Sequence, residues 1–228
     1  MDLIAIERLA AAHGLALRGG FLPAAEDGVP ALPDGRMPAT LLVIGNVGPR
    51  LWPEFSASPE AADGAPDPLN RWTQRVVGGL ARAAGAVPLF PYGGPPYLPF
   101  QRWAMRAEAV APSPLGILIH PDYGLWHAYR GALAFGERLA LPPRVERPRP
   151  CDSCPDRPCL SACPVGAFSD RGYDVPACIG HIGGPSGGSC MVGGCLARRA
   201  CPVGRSHSHD RAQAQFHMTA FLATHRDG

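Results

Sequence analysis

The sequence predicts a two-part protein: a mixed helix-and-strand sandwich, α/β or α+β, over residues 1–140, then a small cysteine-bound domain over residues 151–205. Three observations carry this reading. Helical periodicities and apolar strand-like runs alternate through the first 140 residues. All eight cysteines fall between Cys151 and Cys201. The stretch between them, Pro142-Pro143-Arg144-Val145-Glu146-Arg147-Pro148-Arg149-Pro150, is stiff and polar, as a boundary is.

In chain order, Leu3, Ile4, Ile6, Leu9 and Ala10 recur at helical spacing over residues 2–13, and Gly14 offers a stop. A short strand follows at 15–17. The continuous apolar run 39–47 predicts a buried central strand, ended by Gly48-Pro49. Asp67 as N-cap and Pro68 at the first position open a helix with Leu69, Trp72, Val76 and Leu80 on one face, up to Gly85. A strand at 87–90, a Gly/Pro-rich loop at 91–99 and a helix at 100–109 come next. Two more strands, 116–120 and 126–135, are expected, joined through Pro121-Asp122-Tyr123-Gly124. Residues 206–228 carry a terminal helix at 209–225, whose Phe216, Met218, Phe221 and Leu222 would dock on the rest of the protein.

Composition narrows the function classes. All 21 basic residues are Arg, the net charge is only +2, and no basic run is interleaved with aromatics, so nucleic-acid binding is not expected. The 28 Gly and 27 Pro are irregularly spaced and mark turns, not collagen or disorder. The start lacks a basic region before an apolar run, and no apolar stretch approaches the roughly 20 residues of a membrane span. A soluble cytoplasmic protein without a membrane partner is therefore expected, in a compartment where structural disulfides are rare.

The cysteines read Cys151-x2-Cys154-x4-Cys159-x3-Cys163-Pro164 and Cys178-x11-Cys190-x4-Cys195-x5-Cys201-Pro202. Runs closing on Cys-Pro mark 4Fe–4S clusters, and two closures indicate two clusters. In two-cluster ferredoxins the fourth Cys of each run ligates the other cluster. On that logic Cys151, Cys154, Cys159 and Cys201 hold one cluster, and Cys163, Cys178, Cys190 and Cys195 hold the second. The alternatives are structural zinc, which wants two Cys-x2-Cys knuckles where only one is present, and disulfides. The second quartet departs from compact ferredoxin spacing. His181, His207 and His209 read as surface residues, since eight thiolates already satisfy two clusters.

Gly116-Ile-Leu-Ile-His120-Pro121-Asp-Tyr-Gly124-Leu-Trp126-His-Ala128-Tyr-Arg130-Gly131, running on to Leu141-Pro142-Pro143, resembles the cobalamin-processing CblC family. The likeness extends loosely over residues 1–143. The cluster domain resembles that of the epoxyqueuosine reductases, which join a CblC-like domain to a two-cluster ferredoxin domain; reductive dehalogenases share the pairing. The resemblance implies an α+β, flavin-reductase/nitroreductase-like sandwich followed by a ferredoxin-like domain. It also implies a corrinoid, most simply cobalamin, with flavin as the alternative cofactor. His120, Gly124, Trp126 and Arg130 would line its pocket, with Trp126, Ala128 and Arg130 on one face of a strand. From the residues alone, the same stretch also reads as a hairpin turn with a core Trp and a salt-bridged Arg. The chain lacks the C-terminal helical repeats of an epoxyqueuosine reductase and the twin-Arg signal of a dehalogenase, so the reaction stays open and no catalytic residue is assigned. Two functions lead, with a zinc-bound interaction module as a third. One is an iron–sulfur protein reducing cobalamin or removing its upper ligand, fed by a redox partner protein or small-molecule reductant. The other is a ferredoxin-type electron carrier whose N-terminal part docks a partner or binds flavin.

Overall fold

A computed structural model describes residues 2–169 and 171–226, so Met1 of the expected first domain and residues 227–228 of the expected terminal segment lie outside the described residues. The chain runs through α1 (Leu3–Ala11), β1 (Leu15–Phe21), β2 (Thr40–Val47), α2 (Trp52–Ser56), α3 (Pro59–Ala62), α4 (Pro68–Ala84), β3 (Val87–Leu89) and α5 (Phe100–Ala107). It continues through β4 (Ala111–Pro112), β5 (Leu118–Ile119), β6 (His127–Phe135), α6 (Pro158–Ser161), β7 (Phe168–Ser169) and β8 (Gly172–Tyr173). It ends through α7 (Val175–Ile182), α8 (Gly188–Gly193), α9 (Leu196–Ala200) and α10 (Arg211–Arg226). Two compact units result: residues 1–109 with 127–146, and residues 110–126 with 147–228. Among the described residues no helix is long and apolar enough to cross a membrane.

The first unit is a mixed α/β structure around one antiparallel sheet of order β1-β2-β6-β3. The apolar run expected at 39–47 is its central strand, β2, buried at every position. Side chains alternate between faces of a strand. Leu41 and Val43 therefore join Ala132 and Ala134 of β6 in a cluster with Phe100, Trp103 and Ala107 of α5. On the other face Val77 of α4 packs against the backbone of Gly131. The sheet is thus covered on both sides, which is why β2 has no polar alternation. Trp103, fully buried, donates its indole N–H to the Asp27 carbonyl at 2.8 Å, so its burial leaves no donor unmet.

Helix α4 starts at Pro68 and stops at Gly85, whose φ of 69° gives the left-handed cap expected of glycine. Its start differs from expectation. Asp67 sits at the N-cap position but is left-handed, φ 51°, and its side chain caps nothing. Pro68 disfavours a helical backbone at the residue before it. Arg71 secures this end instead, donating to the Pro66 carbonyl at 2.9 Å and pairing with both Asp63 oxygens at 2.7 Å.

The two strands expected at 116–120 and 126–135 belong to different sheets. Residues 118–119 pair with β4 in a separate two-stranded sheet, while β6 pairs with β2 and β3. His120 and Gly124 close their own turn by mutual backbone hydrogen bonds of 2.9 Å. A tight turn there satisfies its own backbone, so no strand partner is required.

Candidate functional site

The second unit sorts the eight cysteines around two cavities. Cys151 follows Pro150 in a short 3-10 turn, Cys159 lies in α6, and Cys201 ends α9. These three and Cys154 line a tight cavity of about 20 Å³, together with Ile119 and Val203. Cys163, Cys178 of α7, Cys190 of α8 and Cys195 line a larger one of about 430 Å³. One cysteine of each sequence run thus crosses to the cavity of the other. Leu115, Ile119, Leu125 and Ala197 form a buried core cluster with Cys201, with Leu160, Phe168, Val203 and four more of the cysteines packed on it.

Five of the thiols are poor free acids. Burial pushes Cys151, Cys159 and Cys201 up, and the negative charge of neighbours in the same set pushes further. Cys178 and Cys195 rise for the same reasons, with the Tyr173 hydroxyl hydrogen bond opposing at Cys178. Four partly buried cysteines side by side thus favour the protonated thiol, and a bound cationic group would reverse this. The Ala167 N–H reaches Cys163 Sγ at 3.3 Å, a donor of the kind that tunes a thiolate-bound centre. Among the described residues no group of three or more His, Cys, Asp or Glu converges as a single metal ion would require.

The His120–Trp126 stretch belongs to this unit. His120 Nδ1 accepts the backbone N–H groups of Asp122 at 3.0 Å and Tyr123 at 3.3 Å, and the imidazole stacks on Tyr123 at 4.2 Å. His207 meets the other side of Tyr123 edge-on. Gly124, at φ 57°, packs on the backbone just after Cys201-Pro202. Trp126, almost fully buried, lies under the Arg198 guanidinium, 4.5 Å away, with His209 edge-on at 5.3 Å. It also lines a cavity of about 750 Å³ with Val192, Leu196, Arg199, His209 and Arg211. The three histidines read as surface residues are half-buried, and His181 lines the larger cysteine cavity. Helix α10 docks through Met218 and Phe221, which line that cavity as well.

Arg130 belongs to the first unit. The expected alternation of Trp126, Ala128 and Arg130 fails for two reasons. Trp126 precedes β6, and a bulge between the pairs Ile44–Gly131 and Gly45–Tyr129 leaves Arg130 as the extra residue. Its guanidinium donates to Thr73 Oγ1 at 3.1 Å, Asn70 Oδ1 at 3.2 Å and the Leu69 carbonyl at 3.4 Å. These are neutral acceptors, and burial lowers its pKa. Tyr92 stands beside it, pushed up to about 12 by burial. Sequence reasoning missed a second polar group in this unit. Glu108 takes Arg18 Nη2 at 2.8 Å and the Tyr129 hydroxyl at 2.7 Å, and burial raises its pKa against both. Its three members lie far apart in sequence, so no motif announces it.

The class defined so far is a protein with a helix-covered antiparallel sheet unit and a cysteine-cavity unit. Comparison of the sequence with protein-family models and with curated proteins returns no match. Among solved structures, the fold is similar to epoxyqueuosine reductase from Streptococcus thermophilus: TM-score 0.53, 16% identity, over 94% of this chain and 70% of that one. It is also similar to the C. elegans B12-trafficking protein CblC: TM-score 0.52, 13% identity, over 96% and 95%. At these identities the likeness is one of fold.

Proposed function

We propose that this chain is an iron–sulfur redox protein in which two 4Fe–4S clusters feed electrons to a bound corrinoid. The observation that carries the reading is the pair of cavities, each lined by four cysteines, with one cysteine exchanged between sequence runs. That exchange is the ligand pattern of two-cluster ferredoxins. Cys151, Cys154, Cys159 and Cys201 would hold one cluster; Cys163, Cys178, Cys190 and Cys195 would hold the other. Each cluster, when bound, supplies one electron at a time. The chain's own residues exclude water with Ile119, Val203, Phe168 and Phe221, and direct the Ala167 N–H at a ligand sulfur.

The corrinoid half rests on the fold shared with a B12-trafficking protein and on the CblC-like stretch holding His120, Gly124, Trp126 and Arg130. The reaction would be cobalamin reduction or removal of its upper ligand, with residues 1–143 as a nitroreductase-like corrinoid domain and 151–205 as the ferredoxin-like one. One observation favours the second reading, an electron carrier whose N-terminal part binds flavin or a partner. Arg130 is occupied by Thr73, Asn70 and Leu69 within its own unit, so a ligand would have to compete for it.

Anaerobic purification followed by a spectral titration with cobalamin tests both halves. About eight iron and eight sulfide per chain are expected for two cubanes, together with saturable shifts in the cobalamin spectrum. Stoichiometric zinc without sulfide ends the cluster reading. Clusters without cobalamin binding leave the electron carrier.

A further inference from the structure

Arg198 carries a charge that its protein neighbours leave unanswered. Its Nε and Nη2 both donate to the Leu125 carbonyl oxygen, at 3.0 and 2.6 Å, and its plane lies over the Trp126 ring. Both partners are neutral, and among the described residues the ion pairs formed by other arginines have no counterpart here. Burial lowers its pKa to about 10, with the Cys195 thiolate opposing that fall, so it stays protonated near neutral pH. Arg198 lines the larger cavity with Cys163, Cys178, Cys190 and Cys195, and its guanidinium lies close enough to Cys195 to feel the charge of that thiolate. Arg198 is half-buried, and a charge drawn partly out of water favours a nearby counter-charge, since such charges are found paired or facing a metal centre.

We infer that Arg198 is the built-in counter-ion of the redox centre in the larger cysteine cavity and holds that centre's reduction potential up. The inference rests on the cluster reading above. A cubane with four thiolate ligands is a net anion, and reduction adds one electron without making or breaking a bond. The added negative charge faces the fixed guanidinium, so the cation favours the reduced form and its removal favours the oxidised one. The fork on Leu125 and the stacking on Trp126 keep the charge from swinging into water, where it would be screened. The smaller cavity is lined by Arg157, an exposed side chain, so among the described residues it lacks a half-buried cation of this kind. Arg198 is a positioning residue here, acting on the centre through charge.

The test is a dithionite titration of the full-length, cluster-loaded protein, followed by electron paramagnetic resonance. The two couples are assigned from Cys159→Ser and Cys178→Ser proteins. Arg198→Gln should lower the reduced-to-oxidised ratio of the larger-cavity centre about tenfold at a given potential, about 59 mV for a one-electron couple. A unit charge close to a partly buried centre, at an effective dielectric constant of about 20, supplies at least this much. Arg198→Lys, which keeps the charge, should stay near wild type, and the other centre should not move in either variant. Loss of the larger-cavity centre in Arg198→Gln but not in Arg198→Lys also supports a need for charge. Unchanged potentials, equal shifts in both centres, or loss of the centre in both variants overturn the inference. Absence of iron from the wild-type protein overturns the cluster reading itself, a different outcome.

Discussion

Gly124 and Gly204 interlock: a Cβ on Gly124 would run into the Val203 carbonyl oxygen, and one on Gly204 into the Tyr123 carbonyl group. Both have left-handed backbones, φ 57° and 70°. The turn that begins His120-Pro121 is thereby seated on the loop that begins Cys201-Pro202. A stretch that reads as a pocket wall also fixes the backbone leaving a candidate cluster ligand.

Gly124→Ala and Gly204→Ala should each destabilise the second unit by about 2–4 kcal/mol, from left-handed strain added to backbone overlap. Gly116 has a similar φ of 76° but open space around it, so Gly116→Ala isolates the strain and should cost only about 1 kcal/mol. Chemical denaturation with iron content as a second readout checks this. Equal losses in the three variants would mean that the interlock contributes nothing beyond backbone strain.

Cys201→Ala should remove the cluster of Cys151, Cys154 and Cys159, although about 40 residues separate it from them. Iron should fall by about half, from about eight atoms to about four per chain. The remaining spectrum should match that of Cys154→Ala protein. If it matches Cys195→Ala protein instead, the ligands are partnered along each sequence run, and their grouping by cavity is a poor guide.

The central strand β2 and helix α4 were legible because their signals are local: an unbroken apolar run for a strand covered on both faces, and Pro68 and Gly85 bracketing a periodic face. The grouping of the cysteines by cavity coincides with the ferredoxin exchange, a logic that needs only their order. The partner of residues 118–119 was not legible, since an apolar run does not encode which strand it meets. The same limit hid the membership of residues 110–126 in the second unit, held there by a glycine pair that means nothing until Gly124 and Gly204 are seen together. Arg198 and His209 carry no motif. Their importance comes from Trp126, Leu125 and Cys195, which only the tertiary fold assembles.

Arg130 tests the corrinoid half of the proposal. Its partners Thr73, Asn70 and the Leu69 carbonyl are neutral, so Arg130→Gln removes a half-buried charge without stranding a carboxylate. Stability should change by less than about 1 kcal/mol, against the 3–5 kcal/mol typical of breaking a buried ion pair. A lost charged hydrogen bond to a ligand costs about 1.5–3 kcal/mol, roughly 10- to 150-fold in affinity. Cobalamin affinity or its reduction rate should fall by about that factor, with iron content unchanged. Wild-type affinity and rate in Arg130→Gln would favour the electron-carrier reading.

His209 makes stability depend on pH in a defined window. Its half-buried imidazole lies edge-on to Trp126, 5.1 Å from His217, and Nε2 has no hydrogen-bond partner among the described residues. Burial, then the positive charges of Arg198 and His217, push its pKa from the ordinary 6.5 to about 3. Above pH 6.5 the ring is neutral in both folded and unfolded chains, and its contribution is fully present. Between 6.5 and 3 the unfolded chain binds a proton that the folded chain refuses, so falling pH favours unfolding, by about 1.4 kcal/mol per pH unit. Urea denaturation of wild-type and His209→Phe proteins from pH 7 to pH 4 isolates this effect, because other titrating groups cancel in the difference. The stability advantage of wild type over the variant should shrink by about 1.4 kcal/mol for each unit below pH 6. Parallel pH profiles for the two proteins would show that His209 titrates near its ordinary value and is open to water in solution.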